Sequence, residues 1–459
     1  MSREPDDSDP PLIRGLRIPW GRSDRRLPRL VVRPLQQFLD TEASSGILLL
    51  IAAGVAVVWA NLAGGSYDRL WHTELTVGLG RWSISEDLRH WINDAAMAIF
   101  FFVVGLEIKR EFLSGELRDR RAAALPVVAA LGGMVVPALV YLAIVAGGSG
   151  SKGWGIPMAT DIAFAVGVLA VVGRGLPPSL KLFLLTLAIV DDIGAILVIA
   201  IFYSGSVSLS ALGAALGLLV LMALLRRVQV QAGAVYLLMA IGVWLAVFES
   251  GVHATIAGVA LALVTPAVSF QRPRAVSEEA RRVADETSDD PGSGDADAPQ
   301  WLHLAGLSRE AVSPLARLVQ ILHPWTSFVI VPLFALANAG VRLSADGLQQ
   351  SASFRVAAGV AAGLVVGKIV GITLGAAVAT RLGVARLPEG VGWKQVVGVA
   401  ALGGIGFTVS IFIAGLAFTD GALLDASKLG ILIGSLVSGV IGGVLLARAR
   451  REERGGSTG

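Results

Sequence analysis

Apolar runs of about 20 residues recur along the whole chain and limit the folds that are open to it. A helix of that length crosses the hydrocarbon core of a bilayer, and it satisfies its own backbone hydrogen bonds, as lipid requires. The sequence therefore predicts an all-α integral membrane protein with about twelve transmembrane helices. The runs lie near residues 43–62, 91–106, 122–146, 155–173, 182–203, 207–225, 233–248, 253–270, 322–341, 354–376, 395–418 and 427–447.

The composition supports the same class. Charged residues make up 16% of the chain, against roughly 25% in soluble domains. There is no cysteine, which excludes both a disulfide scaffold and a thiolate metal site. The basic residues are not clustered with aromatic ones, so the sequence does not indicate a nucleic-acid-binding protein.

Basic residues in the connecting segments predict the orientation. If both termini are cytoplasmic, 30 Lys and Arg fall in cytoplasmic segments and seven fall in outside segments or span edges. Cytoplasmic loops of membrane proteins carry such an excess. The bias supports the number of spans as well, since one missed helix would invert every later loop.

The chain divides into five predicted parts. Residues 63–89 alternate in the manner of β-strands around Gly78 and Gly80, which predicts a short extracellular hairpin inside the first membrane part. The parts are a disordered cytoplasmic extension (1–41), spans 1–8 (42–270), a disordered cytoplasmic insert (271–316), spans 9–12 (317–447) and a cytoplasmic tail (448–459).

Asp191 and Asp192 lie in the middle of the fifth span. Ionisable residues at that depth are costly and usually mark a substrate path or a proton relay. Neighbouring residues on a helix point about 100° apart, so one carboxylate can face a cavity while the other faces a helix. Two close carboxylates repel each other when both are ionised, which favours binding of a proton or a cation. The structural alternative is a protonated Asp that joins two helices by a hydrogen bond.

Asp161 follows Thr160 in a span whose helix Pro157 and Gly155 interrupt. Broken helices inside a membrane expose carbonyl and N–H groups around a cavity and indicate a transporter's binding site. The alternative is that Pro157 occupies an ordinary first turn of the helix.

Lys368 is the one basic residue predicted deep within a span, and the intramembrane aspartates are its candidate counter-ions. A lysine that extends to the membrane surface is the alternative. Gly404 and Gly406 loosen a second helix, although tight packing alone also accounts for glycines there. Spans 3–5 and 10–12 would then each have a breakable middle helix, which predicts an inverted repeat of three plus three helices.

Three further residues suggest a response to pH. His253 begins the eighth span, and an imidazole titrates near neutral pH, but a lone histidine is more often structural. Glu107 and Glu111 flank Lys109 at the cytoplasmic end of the second span. A surface ion-pair cluster is the simpler interpretation of that group, and a cation funnel or pH sensor is the alternative.

Several segments resemble the NhaA family of Na⁺/H⁺ antiporters between about Thr41 and Ala447, and as an ordered set they are specific to it. The second, fourth and fifth spans contain Trp91-Ile-Asn-Asp-Ala-Ala-Met, Val104-Gly-Leu-Glu-Ile-Lys-Arg-Glu, Ala159-Thr-Asp-Ile-Ala-Phe-Ala and Ala188-Ile-Val-Asp-Asp-Ile-Gly-Ala. Later segments are Ser250-Gly-Val-His-Ala-Thr, Leu322-His-Pro-Trp, Asn338-Ala-Gly and Gly404-Ile-Gly-Phe-Thr-Val-Ser-Ile-Phe-Ile.

The resemblance implies a fold and a set of roles. The fold is an inverted repeat with two discontinuous helices that cross, an architecture for which NhaA is itself a standard example. Asp192 would bind Na⁺ or Li⁺, with Asp191 beside it and able to pair with Lys368. Thr160 and Asp161 would lie at the crossing, near Gly404 and Gly406, and Asp161 and Lys368 would balance the helix-end dipoles.

The resemblance also implies the biological setting. Glu107, Glu111 and His253 would take part in the pH response, and residues 63–89 would form a homodimer contact. The protein would be a multi-pass protein of the bacterial plasma membrane, not an enzyme, with no cofactor and with Na⁺, Li⁺ and H⁺ as transported ions. The insert and the extension lie outside the usual core of the family.

Two other classes stay open at this point. An intramembrane aspartyl protease would use Asp161 and Asp192 as a dyad that shares a proton, but neither Asp has a Gly-x-Gly-Asp context and Lys368 would have no role. A cation channel would need a filter-like repeat of carbonyl donors, which the sequence does not show.

Overall fold

Helices dominate the computed structural model, which describes residues 42–79, 82–173, 175–205, 207–228, 230, 232–287, 294–342 and 351–456. The helices of these residues are α1 Glu42–Leu62, α2 Gly64–Trp71, α3 Leu88–Ser114, α4 Arg120–Val145, α5 Ile162–Val172, α6 Pro178–Phe202, α7 Leu209–Arg227, α8 Gly233–Glu249, α9 Thr255–Val264, α10 Pro273–Glu286, α11 Gly294–Glu310, α12 Pro314–Asn338, α13 Ser351–Arg381, α14 Trp393–Leu402, α15 Phe407–Ala417 and α16 Gly421–Gly456.

Shorter helical features interrupt this pattern. Two 3₁₀ helices span Glu116–Arg118 and Ser149–Met158. Helices α3, α12 and α13 each contain one π-helical turn, at Ile92–Ala96, Thr326–Ile330 and Gly363–Gly367.

Eight of the described helices are long and apolar enough to cross a membrane: α1, α3, α4, α6, α7, α12, α13 and α16. Two bent pairs raise the number to ten if each pair is one span. The first joins the 3₁₀ helix Ser149–Met158 to α5 at 45°, and the second joins α14 to α15 at 47°. The predicted helical membrane protein is thus confirmed with eight to ten candidate spans. The figure of twelve also counts the shorter apolar helices α8 and α9, and it stays a prediction.

The close approach of α4 to α13 positions much of the interior. Glycines on both helices allow it, because a Cβ at Gly132 would meet the carbonyl oxygen of Gly371, and a Cβ at Gly371 would meet that of Gly132. Small residues permit such backbone contact between membrane helices. Helix α13 also packs against α16, which in turn packs against α14. These contacts place the long helices α4, α13 and α16 against the two bent pairs.

The predicted hairpin is present. Strand β1, Glu74–Leu79, pairs antiparallel with β2, Trp82–Asp87, and Leu79 lies opposite Trp82 at the turn end. The Asp87 side chain then caps α3 by accepting a hydrogen bond from the backbone N–H of His90 at 2.7 Å. The extracellular location of the hairpin and its dimer contact stay predictions.

The predicted disorder of residues 271–316 is wrong for its two helical stretches. Helices α10 and α11 form an antiparallel pair in which Val276 and Val283 pack with Leu304. The sequence of α10 has apolar residues at helical spacing, but the surrounding charges and the Asp-Pro-Gly-Ser run favoured a prediction of disorder. That run falls in 288–293, outside the described residues.

The predictions for the two ends of the chain have different outcomes. The extension of residues 1–41 lies outside the described residues. The predicted boundary between span 12 and the tail at residue 447 is not a structural break, since α16 continues as one helix to Gly456. An uninterrupted run of helix-forming Arg, Glu and Ala follows the apolar part of that helix and explains the continuation.

Candidate functional site

The two helix breaks contact each other. The backbone N–H of Asp161 donates to the carbonyl oxygen of Ile405 at 2.6 Å, so one break pairs directly with the other. The hydroxyl of Thr160 lies 2.7 Å from the carbonyl oxygen of Gly403. The predicted breaks in the fourth and eleventh spans are therefore real, and backbone groups that lack helical partners in one break find partners in the other.

Pro157, Gly404 and Gly406 lie at these breaks as the sequence predicts. Pro157 precedes the first break and packs against α13. A Cβ at Gly404 would meet the carbonyl oxygen of Leu364, and a Cβ at Gly406 would lie 2.7 Å from the carbonyl oxygen of Ala159. Both glycines are needed because the second break approaches neighbouring backbone too closely for any side chain.

Asp161 caps two helices at once. One carboxylate oxygen accepts from the backbone N–H of Phe164, at the start of α5, at 3.1 Å. The other accepts from the backbone N–H of Thr408 at 3.2 Å and from its hydroxyl at 2.8 Å, at the start of α15. A carboxylate at a helix N-terminus satisfies free N–H groups and opposes the positive end of the helix dipole. Here one charge serves both half-helices.

Asp191 and Lys368 form a fully buried ion pair. The lysine Nζ lies 2.6 Å from Asp191 Oδ2, and both side chains are 0% exposed. Thr160 joins them, since its hydroxyl lies 2.6 Å from the same Asp191 oxygen and accepts from Lys368 at 3.1 Å. The hydroxyl has one proton, so it donates either to Asp191 or to Gly403. The predicted counter-ion of Lys368 is thus Asp191.

Asp192 is buried beside this pair but is bound differently. Its side chain is 6% exposed. Oδ1 has no hydrogen-bond partner among the described residues in either aspartate, and the ion pair with Lys368 is made by Asp191. The charged groups that bear on Asp192 are the carboxylates of Asp191, Asp161 and Glu107, together with the more weakly acting Lys368. An ionised carboxylate in such a place is unstable without compensation. Asp192 is therefore suited to take up a proton or a small cation.

Glu107 and Glu111 take different places near the C-terminal end of α3. Glu107 lies within electrostatic reach of Asp192, whereas Glu111 accepts a hydrogen bond from the backbone N–H of Glu116 at 3.0 Å. Lys109 donates to carbonyl oxygens at the end of α9, at 2.7 and 2.5 Å. Within the described part of the chain, Lys109 forms no ion pair with either glutamate, so the surface cluster allowed by the sequence is not formed.

His253 lies away from the aspartates and contacts the end of their helix. One ring nitrogen lies 2.6 Å from the carbonyl oxygen of Tyr203, the residue that caps α6. The Tyr203 hydroxyl donates to the carbonyl oxygen of Lys152 at 2.7 Å and accepts from the N–H of Gly155 at 3.3 Å. His253 is thus connected through Tyr203 to the helix that precedes the first break.

Two hydroxyl residues at the crossing were not singled out from the sequence. Thr408 binds Asp161 as described, and Ser410 donates to the carbonyl oxygen of Ile156 at 2.7 Å. The sequence contained a signal for this role. Both hydroxyl residues follow directly after the glycine-rich break, where the groups at a free helix end need polar partners. The glycines of that segment indicated a flexible helix, and the partners of its hydroxyl groups depend on the first break, which is about 250 residues away in the chain.

Comparison with known proteins gives consistent results. A sequence model of the family described as Na⁺/H⁺ antiporter 1 matches residues 36–446. The chain is 48% identical to the Na(+)/H(+) antiporter NhaA 2 of Sorangium cellulosum (strain So ce56), in an alignment that covers 91% of this chain and 90% of the relative.

Two further relatives come from other bacteria. The Na(+)/H(+) antiporter NhaA of Oleidesulfovibrio alaskensis is 47% identical and covers 91% of this chain and 94% of its own length. The Na(+)/H(+) antiporter NhaA 3 of Frankia alni is 46% identical, with 92% and 89% covered. The match extends over both helix breaks, the buried aspartates and Lys368, and so the chain belongs to the Na⁺/H⁺ antiporter 1 family.

Proposed function

We propose that this chain is a secondary transporter that exchanges cytoplasmic Na⁺, or Li⁺, for external protons. One observation carries the proposal: Asp192, a buried carboxylate whose Oδ1 has no hydrogen-bond partner in the described part of the chain, lies beside the buried Asp191–Lys368 pair. The names of the relatives, all Na⁺/H⁺ antiporters, support the choice of ions.

Competition for the same oxygens couples the two ions. A carboxylate that has taken a proton cannot also bind Na⁺ with that oxygen, so cation binding at Asp191 and Asp192 releases protons, and proton uptake releases the cation. Two carboxylates and one monovalent cation allow more protons than cations to exchange. Transport is then electrogenic, and because protonation controls cation binding, it depends on pH.

The arrangement of helices supports alternating access. Spans 3–5 correspond to α4, the first bent pair and α6, and spans 10–12 correspond to α13, the second bent pair and α16. We propose that these groups are inverted repeats that rock about the fixed site. With α8 and α9 the spans number twelve, both termini are cytoplasmic, the membrane is the bacterial plasma membrane, and residues 63–89 join two copies.

The contacts of Asp161 argue against the protease alternative. A catalytic dyad needs two carboxyl groups that are free to share a proton and activate water. Both oxygens of Asp161 instead accept hydrogen bonds that cap α5 and α15, from Phe164 and from Thr408.

Na⁺-driven proton movement in everted membrane vesicles tests the proposal. Wild-type protein should move protons on addition of Na⁺ or Li⁺, and Asp192→Asn should abolish the response because an amide cannot exchange a proton for a cation. Glu249→Gln is the matched control, since Glu249 is an exposed carboxylate at the end of α8. A fully active Asp192→Asn variant would contradict the proposed site.

A further inference from the structure

Two buried serines on one face of α16 contact both features that shape the ion site. Ser435 and Ser438 are three residues apart, so they lie on the same side of the helix. Neither is among the predicted site residues, and both point toward the interior.

Ser435 contacts the second helix break. Its hydroxyl oxygen accepts a hydrogen bond from the backbone N–H of Gly406 at 3.2 Å. Gly406 is the residue immediately before α15, where backbone N–H groups have no partner within the helix. The hydroxyl therefore supplies an acceptor that the broken helix lacks.

Ser438 contacts the π turn that precedes Lys368. In that turn the N–H of Lys368 donates to the carbonyl oxygen of Gly363, five residues back. In an α-helix the same N–H would donate to the carbonyl oxygen of Leu364, which therefore loses this donor. The Ser438 hydroxyl lies 3.4 Å from this Leu364 oxygen and donates to it. Gly404 packs against the same oxygen and the same serine.

We infer that Ser435 and Ser438 are positioning residues, which together hold the second break and the π turn so that Lys368 reaches Asp191. A π turn rotates every following residue relative to the preceding helix. Lys368 is the first residue after this turn, and its Nζ must remain within about 3 Å of Asp191 deep in the protein. The inference rests on the proposed function in that Lys368 and Asp191 belong to the exchange site.

The test compares Ser438→Ala and Ser435→Ala with Ser427→Ala. Ser427 is another buried serine of α16, and among the described residues its hydroxyl bonds only within its own helix, to the carbonyl oxygen of Leu424 at 2.7 Å. All three variants lose one hydroxyl from one helix, and only the first two lose the contacts in question.

In Na⁺-driven proton movement, the apparent KM for Na⁺ should rise roughly three- to tenfold in Ser438→Ala, the range that the loss of one hydrogen bond gives. Ser427→Ala should change it less than twofold. Ser438→Cys keeps a weak donor at this position, so its KM should fall between those of wild type and Ser438→Ala. Equal KM values in Ser438→Ala and Ser427→Ala would overturn the inference.

Backbone hydrogen exchange of the purified protein separates this inference from the proposed function. Ser435→Ala should speed exchange in peptides around Gly406, and Ser438→Ala should speed it around Leu364, whereas Ser427→Ala should do neither. Faster exchange in a protein that moves no ions would support the positioning role of the two serines and contradict the proposed transport function. Unchanged exchange in Ser435→Ala and Ser438→Ala would contradict the positioning role, whatever the transport result.

Discussion

The buried Asp191–Lys368 pair allows one prediction to be worked out in detail. Lys368→Met keeps an unbranched apolar stem and removes the ammonium, so Thr160 is the one partner that Asp191 keeps among the described side chains. Removing one member of a buried ion pair typically costs about 3–5 kcal/mol, because an uncompensated charge remains. We expect a loss of that size in the free energy of unfolding near neutral and alkaline pH.

The loss should shrink as pH falls, because protonation of Asp191 removes the buried charge that Lys368 no longer balances. The double variant Lys368→Met/Asp191→Asn should recover at least about 2 kcal/mol of the loss, since exchange of both partners for neutral groups is nearly neutral in many proteins. Equilibrium unfolding in mixed micelles, followed by tryptophan fluorescence, measures these two variants together with the single variant Asp191→Asn and the wild type.

An exposed ion pair provides the control. Lys394 and Glu452 are 2.5 Å apart with side chains 74% and 59% exposed, and such a pair contributes at most about 1 kcal/mol. Lys394→Met should therefore cost little. If Lys368→Met costs no more than this control, or if its loss simply adds to that of Asp191→Asn within about 0.5 kcal/mol, the pairing has no energetic role.

Three other changes give further tests. Gly404→Ala should abolish Na⁺-driven proton movement or folding, because its methyl group would meet a backbone carbonyl oxygen. Gly415→Ala, which has open space around it, should be active, and equal activities of the two variants would refute the close approach. Thr160→Val should destabilise the protein by about 1–3 kcal/mol, since it removes one donor from a buried acceptor, either Asp191 or the carbonyl oxygen of Gly403. An unchanged unfolding midpoint would contradict that role. Replacement of residues 273–310 by a short flexible linker should leave the maximal rate of Na⁺-driven proton movement within twofold, because α10 and α11 pack on each other and away from the site. Loss of activity in well-folded protein would assign the insert a part in transport.

The sequence predicted those features that follow from the cost of placing polar groups in lipid. A mid-span Lys368 requires a buried counter-ion, and Asp191 is that partner. Pro157, Gly404 and Gly406 predicted two helix breaks, and both exist. These inferences succeed because few arrangements satisfy a charge or a free backbone group inside a membrane.

Features that depend on packing between distant segments were beyond sequence reasoning. The pairing of the Asp161 N–H with Ile405, and the cap that Asp161 provides for α15, join residues nearly 250 positions apart. The helical insert was missed for a different reason, since its surrounding charges obscured the apolar face of α10.

Proton release on Na⁺ binding tests the central claim most directly. Purified protein in weakly buffered detergent solution receives Na⁺ at constant ionic strength, and a pH indicator measures the protons released per molecule. Competition at Asp191 and Asp192 predicts release from wild-type protein and an apparent Na⁺ affinity that weakens as pH falls, with no release from Asp192→Asn. Sodium binding without proton release, or equal release from wild type and Asp192→Asn, would contradict the account.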